Sequence, residues 1–266
     1  MPHLTVNGVR LHYTDSGQGD ETIVFSHGLL MSGRMFDAQV AQFSSRYRCI
    51  TYDHRGQGNS DAPLDGYDME TVAEDAAALI RELANGPVHF AGLSMGGFVG
   101  MRLALRHPEL LRSLIILESS ADPEPEDNKP KYRKMNFVAR WFGLGVVVDK
   151  VMPIMFGQSF LTDPARAAQK AQWRDRIKAN DRKGIVRAVN GVIDRVGVYQ
   201  DLDQISTPAL ILVGDEDVAT VPAKSERMRD AIAGAEMHLI PGAGHSATIE
   251  EPAAVNAHIE TYLARV

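Results

Sequence analysis

Cysteine is nearly absent from this chain, which has one, Cys49, among 266 residues. A single thiol excludes a disulfide within the chain. Cys49 lies in the apolar-rich run from Tyr47 to Tyr52, where we expect a buried, inert thiol and not a nucleophile. No apolar run approaches the ~20 residues needed to span a bilayer, and the first residues lack the basic start and apolar stretch of a secretory signal. We therefore expect a soluble, cytoplasmic protein with no membrane partner.

Excess basic charge is also absent. The 28 Lys and Arg residues against 34 Asp and Glu residues give a formal net charge of −6. No segment gathers the positive charge that a phosphate backbone requires, so we expect no nucleic-acid partner. The hydrophobic share of 44% and the charged share of 23% are typical of a globular protein with one large core. One α/β domain with an inserted subdomain fits this length better than two independent domains.

Strand-like and helix-like segments alternate along most of the chain. The first two strand patterns flank Asn7-Gly8, which is a hairpin-turn signal. Later strand patterns are short, continuous apolar runs, typical of strands buried on both faces. The alternation predicts an α/β fold: a mostly parallel, doubly wound sheet of about eight strands with helices on both faces. The predicted strands are 4–6, 9–14, 22–26, 47–52, 88–92, 114–117, 209–213 and 237–240, and the clearest predicted helices are 68–83, 98–106 and 222–232.

One region interrupts this alternation. It contains no convincing buried strand and opens with an acidic, proline-rich loop at Asp122–Asp127. Helix-start signals follow at Asp163-Pro164 and at Asp181. We expect a helical lid, or cap, inserted between two strands of the sheet. The predicted division is residues 1–120 and 204–266 for the core and residues 121–203 for the lid.

The segment Gly92-Leu93-Ser94-Met95-Gly96 has the G-x-S-x-G pattern of a nucleophile elbow. A sharp turn from strand to helix holds the serine in a strained conformation, and side chains two positions away on either side would collide. The pattern alone is a weak signal. Its context strengthens it, because Val88 to Ala91 supplies a strand before it and Gly97 to His107 supplies a helix after it. Ser94 is therefore the candidate nucleophile.

A serine hydroxyl needs a base and an acid that orients the base. In this architecture they follow in the order Ser, Asp or Glu, His, each just after a later strand. His245 follows one such strand on a glycine-rich loop, which favours a base over a core histidine. Asp215, Glu216 and Asp217 follow another strand, and Glu118 follows an earlier one. Spacing alone leaves Asp215 and Asp217 as nearly equal candidates for the acid.

Five glycine-containing segments follow one another along the chain: Phe25–Leu30, Asp53–Ser60, Gly92–Gly97, Gly214–Pro222 and Gly244–Pro252. In this order they resemble motifs of the α/β-hydrolase superfamily, and within it those of small bacterial carboxylesterases, perhydrolases and 3-oxoadipate enol-lactonases. The resemblance covers nearly the whole chain except the lid. In that family's Gly-x-x-Asp pattern the acid falls three residues after the glycine, which selects Asp217 and keeps Glu118 as a substitute. Serine at the elbow argues against dehalogenase and epoxide-hydrolase relatives, which have aspartate there.

The resemblance also implies an oxyanion hole formed by the backbone N–H groups of Leu29 and Met95. Two such donors at the developing oxyanion lower the barrier by several kcal/mol. Large apolar residues of the lid mainly pack its helices onto the core, and the candidates for lining a substrate pocket are Trp141, Met155 and Phe156. The resemblance implies no metal and no organic cofactor.

Together these residues predict two-step acyl transfer by a Ser94, His245, Asp217 triad. The expected substrate is a small-molecule carboxylic ester, with simple short-chain esters first. A lactone such as 3-oxoadipate enol-lactone is the runner-up. Carbon–carbon bond hydrolysis and perhydrolysis on the same triad stay open. A non-catalytic ligand-binding receptor on the same fold is the remote alternative.

Overall fold

The computed structural model describes residues 2–266, so residue 1 of the predicted core segment lies outside the description. Its centre is one eight-stranded sheet. The strands are β1 (His3–Val6), β2 (Val9–Ser16), β3 (Thr22–Ser26), β4 (Arg48–Tyr52), β5 (Val88–Leu93), β6 (Leu111–Leu117), β7 (Ala209–Gly214) and β8 (Glu236–Ile240). Their order is β1-β2-β4-β3-β5-β6-β7-β8. The pairs β1–β2 and β2–β4 are antiparallel and all other pairs are parallel, which confirms the predicted sheet.

The opening hairpin is made by the turn that the sequence indicates. Asn7 and Gly8 both have positive φ, 46° and 75°, as a type I′ turn requires at its two central residues. Val6 therefore pairs directly with Val9. The hairpin provides the antiparallel edge of a sheet that is otherwise parallel.

Helices cover the sheet and contribute to two separate hydrophobic clusters. Successive residues of one buried strand alternate between them: Ile23 and Phe25 belong to one cluster and Val24 to the other. Each fully buried side chain of this kind stabilises the fold by roughly 1.5–3 kcal/mol. The helices are α1 (Asp37–Phe43), α2 (Met69–Leu83), α3 (Met95–Arg106), α4 (Lys129–Phe142), α5 (Val148–Met155), α6 (Gln158–Thr162), α7 (Ala167–Ala179), α8 (Arg182–Ile193), α9 (Pro222–Ala231), α10 (Ala247–Glu250) and α11 (Pro252–Leu263). Within residues 2–266, none is long and apolar enough to cross a membrane.

The chain between β6 and β7 contains helices α4 to α8, and we refer to residues 121–203 as the helical insertion. Both start signals act as caps. The Asp163 carboxylate accepts the N–H of Ala165 at 2.8 Å and begins the short 3₁₀ turn that leads into α7. The Asp181 carboxylate accepts the N–H of Gly184 at 2.6 Å and begins α8. Helix α4 packs along α8.

Strand β8 differs from the prediction. Its apolar run, residues 237–240, predicts a strand buried on both faces, but most of it is partly exposed and Leu239 is 48% exposed. The reason is its place in the sheet, because β8 is the last strand and pairs only with β7. Position at an edge cannot be read from the hydrophobicity of a single segment.

The cysteine lies deep in the sheet. Cys49, on β4, is fully buried, and burial raises the pKa of its thiol to about 12. The thiolate, which is the nucleophilic form, is thus disfavoured at neutral pH.

Candidate active site

Ser94 lies in the tight turn between β5 and α3. Its φ of +53° is in the region that side chains other than glycine rarely adopt. A Cβ atom at Gly92 would lie 2.2 Å from the carbonyl oxygen of Gly96, and one at Gly96 would lie 2.0 Å from the carbonyl oxygen of Ser26. The structure therefore contains the collisions that the G-x-S-x-G pattern predicts, and both glycines are sterically required.

Three side chains from distant loops form one hydrogen-bonded chain. The Oγ of Ser94 lies 2.8 Å from Nε2 of His245, and Nδ1 of His245 lies 2.8 Å from Oδ2 of Asp217. All three residues are buried. When Nδ1 donates to the carboxylate, Nε2 is the ring nitrogen left to accept the hydroxyl proton of Ser94. This arrangement can transfer a proton from the serine to the imidazole.

Asp217 is held as a carboxylate by its neighbours. It accepts hydrogen bonds from the N–H of Ala219 at 2.7 Å, and from the N–H and the hydroxyl of Thr220 at 2.9 and 2.7 Å. Burial raises the pKa of the Asp217 carboxyl, but the interactions with His245 and Thr220 outweigh burial and lower it to about 2. The group facing the imidazole is therefore ionised at neutral pH.

The other acidic candidates lie elsewhere. Asp215 is exposed, and its carboxylate accepts the N–H of Gly242 at 2.8 Å. Glu118 is fully buried at the end of β6, and within the described residues neither of its carboxylate oxygens has a hydrogen-bond partner. Burial, together with the nearby charges of Asp217 and Glu250, raises the pKa of Glu118 well above its usual range. Neither Asp215 nor Glu118 is hydrogen-bonded to the imidazole.

The two predicted oxyanion donors flank the serine. Met95 is the first residue of α3, where a backbone N–H has no partner within the helix. Leu29 follows Gly28, at which a Cβ atom would lie 3.5 Å from the Cβ of Ser94, so this loop packs against the elbow. In the part of the chain that the structure describes, neither the Leu29 nor the Met95 N–H donates to a protein acceptor. Neither of these amides therefore has a hydrogen bond within the described residues that a ligand oxygen would have to replace.

Two side chains brace the loop that contains Leu29. The amide oxygen of Gln57 accepts the N–H of Leu30 at 2.8 Å. His27 is fully buried; its Nε2 accepts the N–H of His54 at 2.9 Å, and its Nδ1 lies 2.7 Å from the carbonyl oxygen of Gly28. Sequence reasoning missed Gln57, and its place within the motif Asp53–Ser60 was the available signal.

An apolar cavity lies between the core and the helical insertion and opens onto Ser94 and His245. Aliphatic and methionine side chains from α4, α5, α7 and α8 form most of its wall. Six that represent these four helices are Met135, Ala139, Val151, Met155, Ile177 and Ile185. Such a wall favours an apolar group attached to the reacting carbonyl.

The cavity wall includes one Lys or Arg side chain, Arg195, and its charge is already balanced. Its Nη1 donates to Glu124 at 2.9 Å and its Nε to the carbonyl oxygen of Asp122 at 3.1 Å. The guanidinium also lies over the ring of Phe98, 4.4 Å from its centroid. The Arg195 and Glu124 side chains are only 3% and 12% exposed, so this wall presents a neutral pair and not a free cation.

Of the three residues predicted to line a substrate pocket, Met155 lines this cavity, and Trp141 and Phe156 do not. Trp141 is 61% exposed and lies against Phe137, on the opposite side of α4 from Ala139. Phe156 is 2% exposed and stacks on Phe160 within the core. Aromatic character alone did not indicate which side of each helix faces the cavity.

A buried, hydrogen-bonded Ser–His–Asp chain lies at the carboxyl ends of parallel strands, and this arrangement is typical of α/β hydrolases with a serine at the strand-to-helix turn. The alpha/beta hydrolase family matches residues 23–258, and the chain belongs to that family.

Similar proteins include enzymes of two kinds. The 3-oxoadipate enol-lactonase 2 of Acinetobacter baylyi is 26% identical over 263 residues, covering 98% of this chain and 96% of the relative. Among solved structures, a thermophilic esterase from Thermogutta terrifontis has a TM-score of 0.91 at 27% identity, covering 100% of this chain and 99% of that one. The enol-lactonase of Burkholderia xenovorans LB400 has a TM-score of 0.92 at 28% identity, with coverage of 99% and 100%. This esterase and these two enol-lactonases are thus about equally similar to this chain.

Proposed function

We propose that this protein hydrolyses carboxylic esters that carry an uncharged, apolar group, through an acyl-enzyme intermediate on Ser94. The observation that carries the proposal is the hydrogen-bonded chain of Ser94, His245 and Asp217 opening onto an aliphatic cavity. The cavity extends the initial expectation of simple short-chain esters, because aliphatic and methionine side chains from four helices form an apolar wall beside Ser94.

The proposed reaction has two steps. In the first, Nε2 of His245 takes the proton of Ser94 as the serine oxygen attacks the ester carbonyl carbon, and the N–H groups of Leu29 and Met95 donate to the oxyanion. The tetrahedral intermediate collapses, the ester C–O bond breaks, and His245 gives its proton to the departing alkoxide. In the second step His245 takes a proton from water as the water oxygen attacks the acyl carbon. The bond between the acyl carbon and the Ser94 oxygen then breaks, and His245 returns the proton to that oxygen, which releases the acid and restores the serine hydroxyl. Asp217 stabilises the imidazolium in both steps.

An enol-lactone is the second candidate, because two of the similar proteins are enol-lactonases. The enol-lactone of 3-oxoadipate, a dicarboxylate, retains one free carboxylate. The cavity would have to bind that charge, yet Arg195 is already paired with Glu124. This pairing favours an uncharged ester, or an uncharged lactone, over a carboxylate-bearing lactone.

A fluorophosphonate probe and a p-nitrophenyl butyrate assay test the proposal. We expect the probe to label wild-type protein at Ser94, and we expect Ser94→Ala to abolish labelling and to lower turnover by a factor on the order of 10⁴ or more. The matched control is Ser45→Ala, which removes the hydroxyl of an exposed serine far along the chain from the elbow. It should keep both labelling and turnover. Folded wild-type protein that neither reacts with the probe nor cleaves esters would instead support the non-catalytic receptor.

A further inference from the structure

A second buried carboxylate, Glu250, lies directly behind the proposed base. Glu250 is the last residue of α10 and is 2% exposed. Its Oε1 accepts the N–H of Ser246 at 3.0 Å, and its Oε2 accepts the N–H of Gly244 at 3.1 Å. These are the residues on either side of His245. One carboxylate therefore binds both residues flanking the imidazole.

The same carboxylate reaches the helical insertion. Oε2 of Glu250 also accepts the N–H of Gly157 at 2.8 Å. Gly157 lies in the short link between α5, which lines the cavity, and α6, and it immediately precedes α6. The two backbones are in close contact here: a Cβ atom at Gly157 would lie 2.8 Å from the nitrogen of Gly244, and one at Gly244 would lie 2.2 Å from the nitrogen of Gly157. The loop of the base and the start of α6 thus meet around one buried charge.

The loop of the proposed acid is tied to the same short segment. Glu216, the residue before Asp217, accepts hydrogen bonds from both the N–H and the hydroxyl of Ser159. Residues 157–159 are therefore joined to the loop that carries the base and to the loop that carries the acid.

Burying a carboxylate between two loops costs desolvation free energy. The titratable and charged groups around Glu250 are His245 on the loop, Glu118 after β6, and Arg166, whose Nη1 donates to the backbone oxygen of Glu250. Burial raises the pKa of Glu250 to about 6 despite the hydrogen bonds from Gly157 and its other amide partners. Removing this charge from water is unfavourable, so its presence calls for a role that an apolar side chain could not fill.

We propose that Glu250 is a positioning residue for the hydrolytic reaction: by binding Gly244, Ser246 and Gly157 at once, it fixes the imidazole of His245 and docks the helical insertion as one unit. This inference rests on the proposed function. Glu250 does not touch the substrate. It acts through the backbone on either side of the base, and misplacing a reacting group by about 1 Å can lower a rate about 100-fold.

Two variants disturb this contact in different ways. Glu250→Gln keeps the shape but replaces one acceptor oxygen by an N–H₂ group, which faces the backbone donors. Gly157→Ala keeps the Glu250 carboxylate and introduces a Cβ atom that would lie 2.5 Å from Oε2 of Glu216 and 2.8 Å from the nitrogen of Gly244, at a φ of −68° that alanine adopts readily. It therefore disturbs the attachment of residue 157 to both loops, whereas Glu250→Gln disturbs only the attachment to the loop of the base. We expect each variant to lower kcat for p-nitrophenyl butyrate roughly 10-fold to 100-fold, with KM changed less than about threefold. The rate of fluorophosphonate labelling should fall in parallel.

The matched control is Glu251→Gln. Glu251 is the next residue, its side chain is 34% exposed, and it pairs with Arg166 at 2.7 Å. Removing its charge should leave kcat and KM at the wild-type values. Wild-type kcat in folded Glu250→Gln would overturn the inference, and so would an equal loss in Glu251→Gln. If Glu250→Gln does not fold, Gly157→Ala decides: an unchanged kcat, or a rise in KM alone, refutes the positioning role.

Amide hydrogen exchange separates this inference from the proposed function. Exchange at Gly244, Ser246 and Gly157 should accelerate at least 10-fold in Glu250→Gln and not in Glu251→Gln, whatever reaction the protein catalyses. Unchanged protection at all three amides would contradict the contact itself. If the wild-type protein has no esterase activity but Glu250→Gln still accelerates exchange at these three amides, the proposed function is refuted and the Glu250 contact is not.

Discussion

At the scale of single residues, Asp215 and Asp217 show how two identical side chains acquire different chemistry. Both follow β7, two positions apart. Asp215 faces solvent and accepts one backbone N–H, whereas Asp217 is buried between Thr220 and His245. Only the second carboxylate can hold the Nδ1–H tautomer of the imidazole. Its pKa of about 2 keeps it ionised at any pH at which a histidine base can work.

This difference predicts unequal effects of the same substitution. Asp217→Asn should lower kcat/KM for p-nitrophenyl butyrate by a factor on the order of 10³–10⁴, because the amide cannot stabilise the imidazolium. Asp215→Asn is the matched control and should stay within about threefold of wild type, since it changes an exposed group. Both proteins should remain folded by circular dichroism. A larger loss in Asp215→Asn than in Asp217→Asn would transfer the role of the acid to Asp215.

At the scale of elements, the helical insertion sets the chemistry of the cavity. Helix α4 presents Met135 and Ala139 to the cavity, while Phe137 and Trp141 face outwards. The segments before α4 and after α8 supply the buried pair of Glu124 and Arg195. The preference for uncharged over negatively charged substrates should therefore depend on whether Arg195 remains paired with Glu124.

Breaking the pair should change which esters are accepted. We expect wild-type protein to prefer p-nitrophenyl hexanoate over mono-p-nitrophenyl adipate, whose chain has the same length but ends in a carboxylate. Glu124→Gln leaves Arg195 without its counter-charge, and a hydrogen bond to a charged group contributes about 1.5–3 kcal/mol. The ratio of kcat/KM for adipate over hexanoate should thus rise at least about 10-fold.

The control for this substitution is Glu126→Gln, at a residue whose side chain is 84% exposed and pairs with Lys129. It should leave the adipate-to-hexanoate ratio unchanged. An equal ratio in wild type and Glu124→Gln would mean that Arg195 does not face the substrate's chain, and the preference for uncharged esters would lose its physical basis.

At the scale of the whole molecule, the sheet could be predicted because short apolar runs and turn residues are local signals. The hairpin at Asn7-Gly8 and the elbow at Ser94 depend on backbone geometry that their own residues impose. The lining of the cavity could not be predicted in the same way. Whether Trp141 faces the cavity or solvent depends on how α4 is rotated against α8, which is a property of packing between distant segments. The same holds for Glu250, whose partner Gly157 is 93 residues away.

The cavity itself is a product of the whole molecule, since the core provides the reacting groups and the insertion provides the apolar wall. Its size should set the preferred acyl chain. Ala139→Phe places a ring in the cavity from α4, where the wild-type side chain is small and 3% exposed. When a pocket loses room for one methylene, the ratio of kcat/KM between substrates that differ by that group changes by roughly 10-fold to 200-fold. We therefore expect kcat/KM for p-nitrophenyl octanoate to fall at least about 10-fold while that for the acetate stays within about threefold.

Phe137→Ala, two residues along the same helix but on its outer side, is the control and should leave the chain-length profile unchanged. A uniform loss for both esters in Ala139→Phe would show that the acyl chain does not enter this cavity, and the site for the apolar group would have to lie elsewhere.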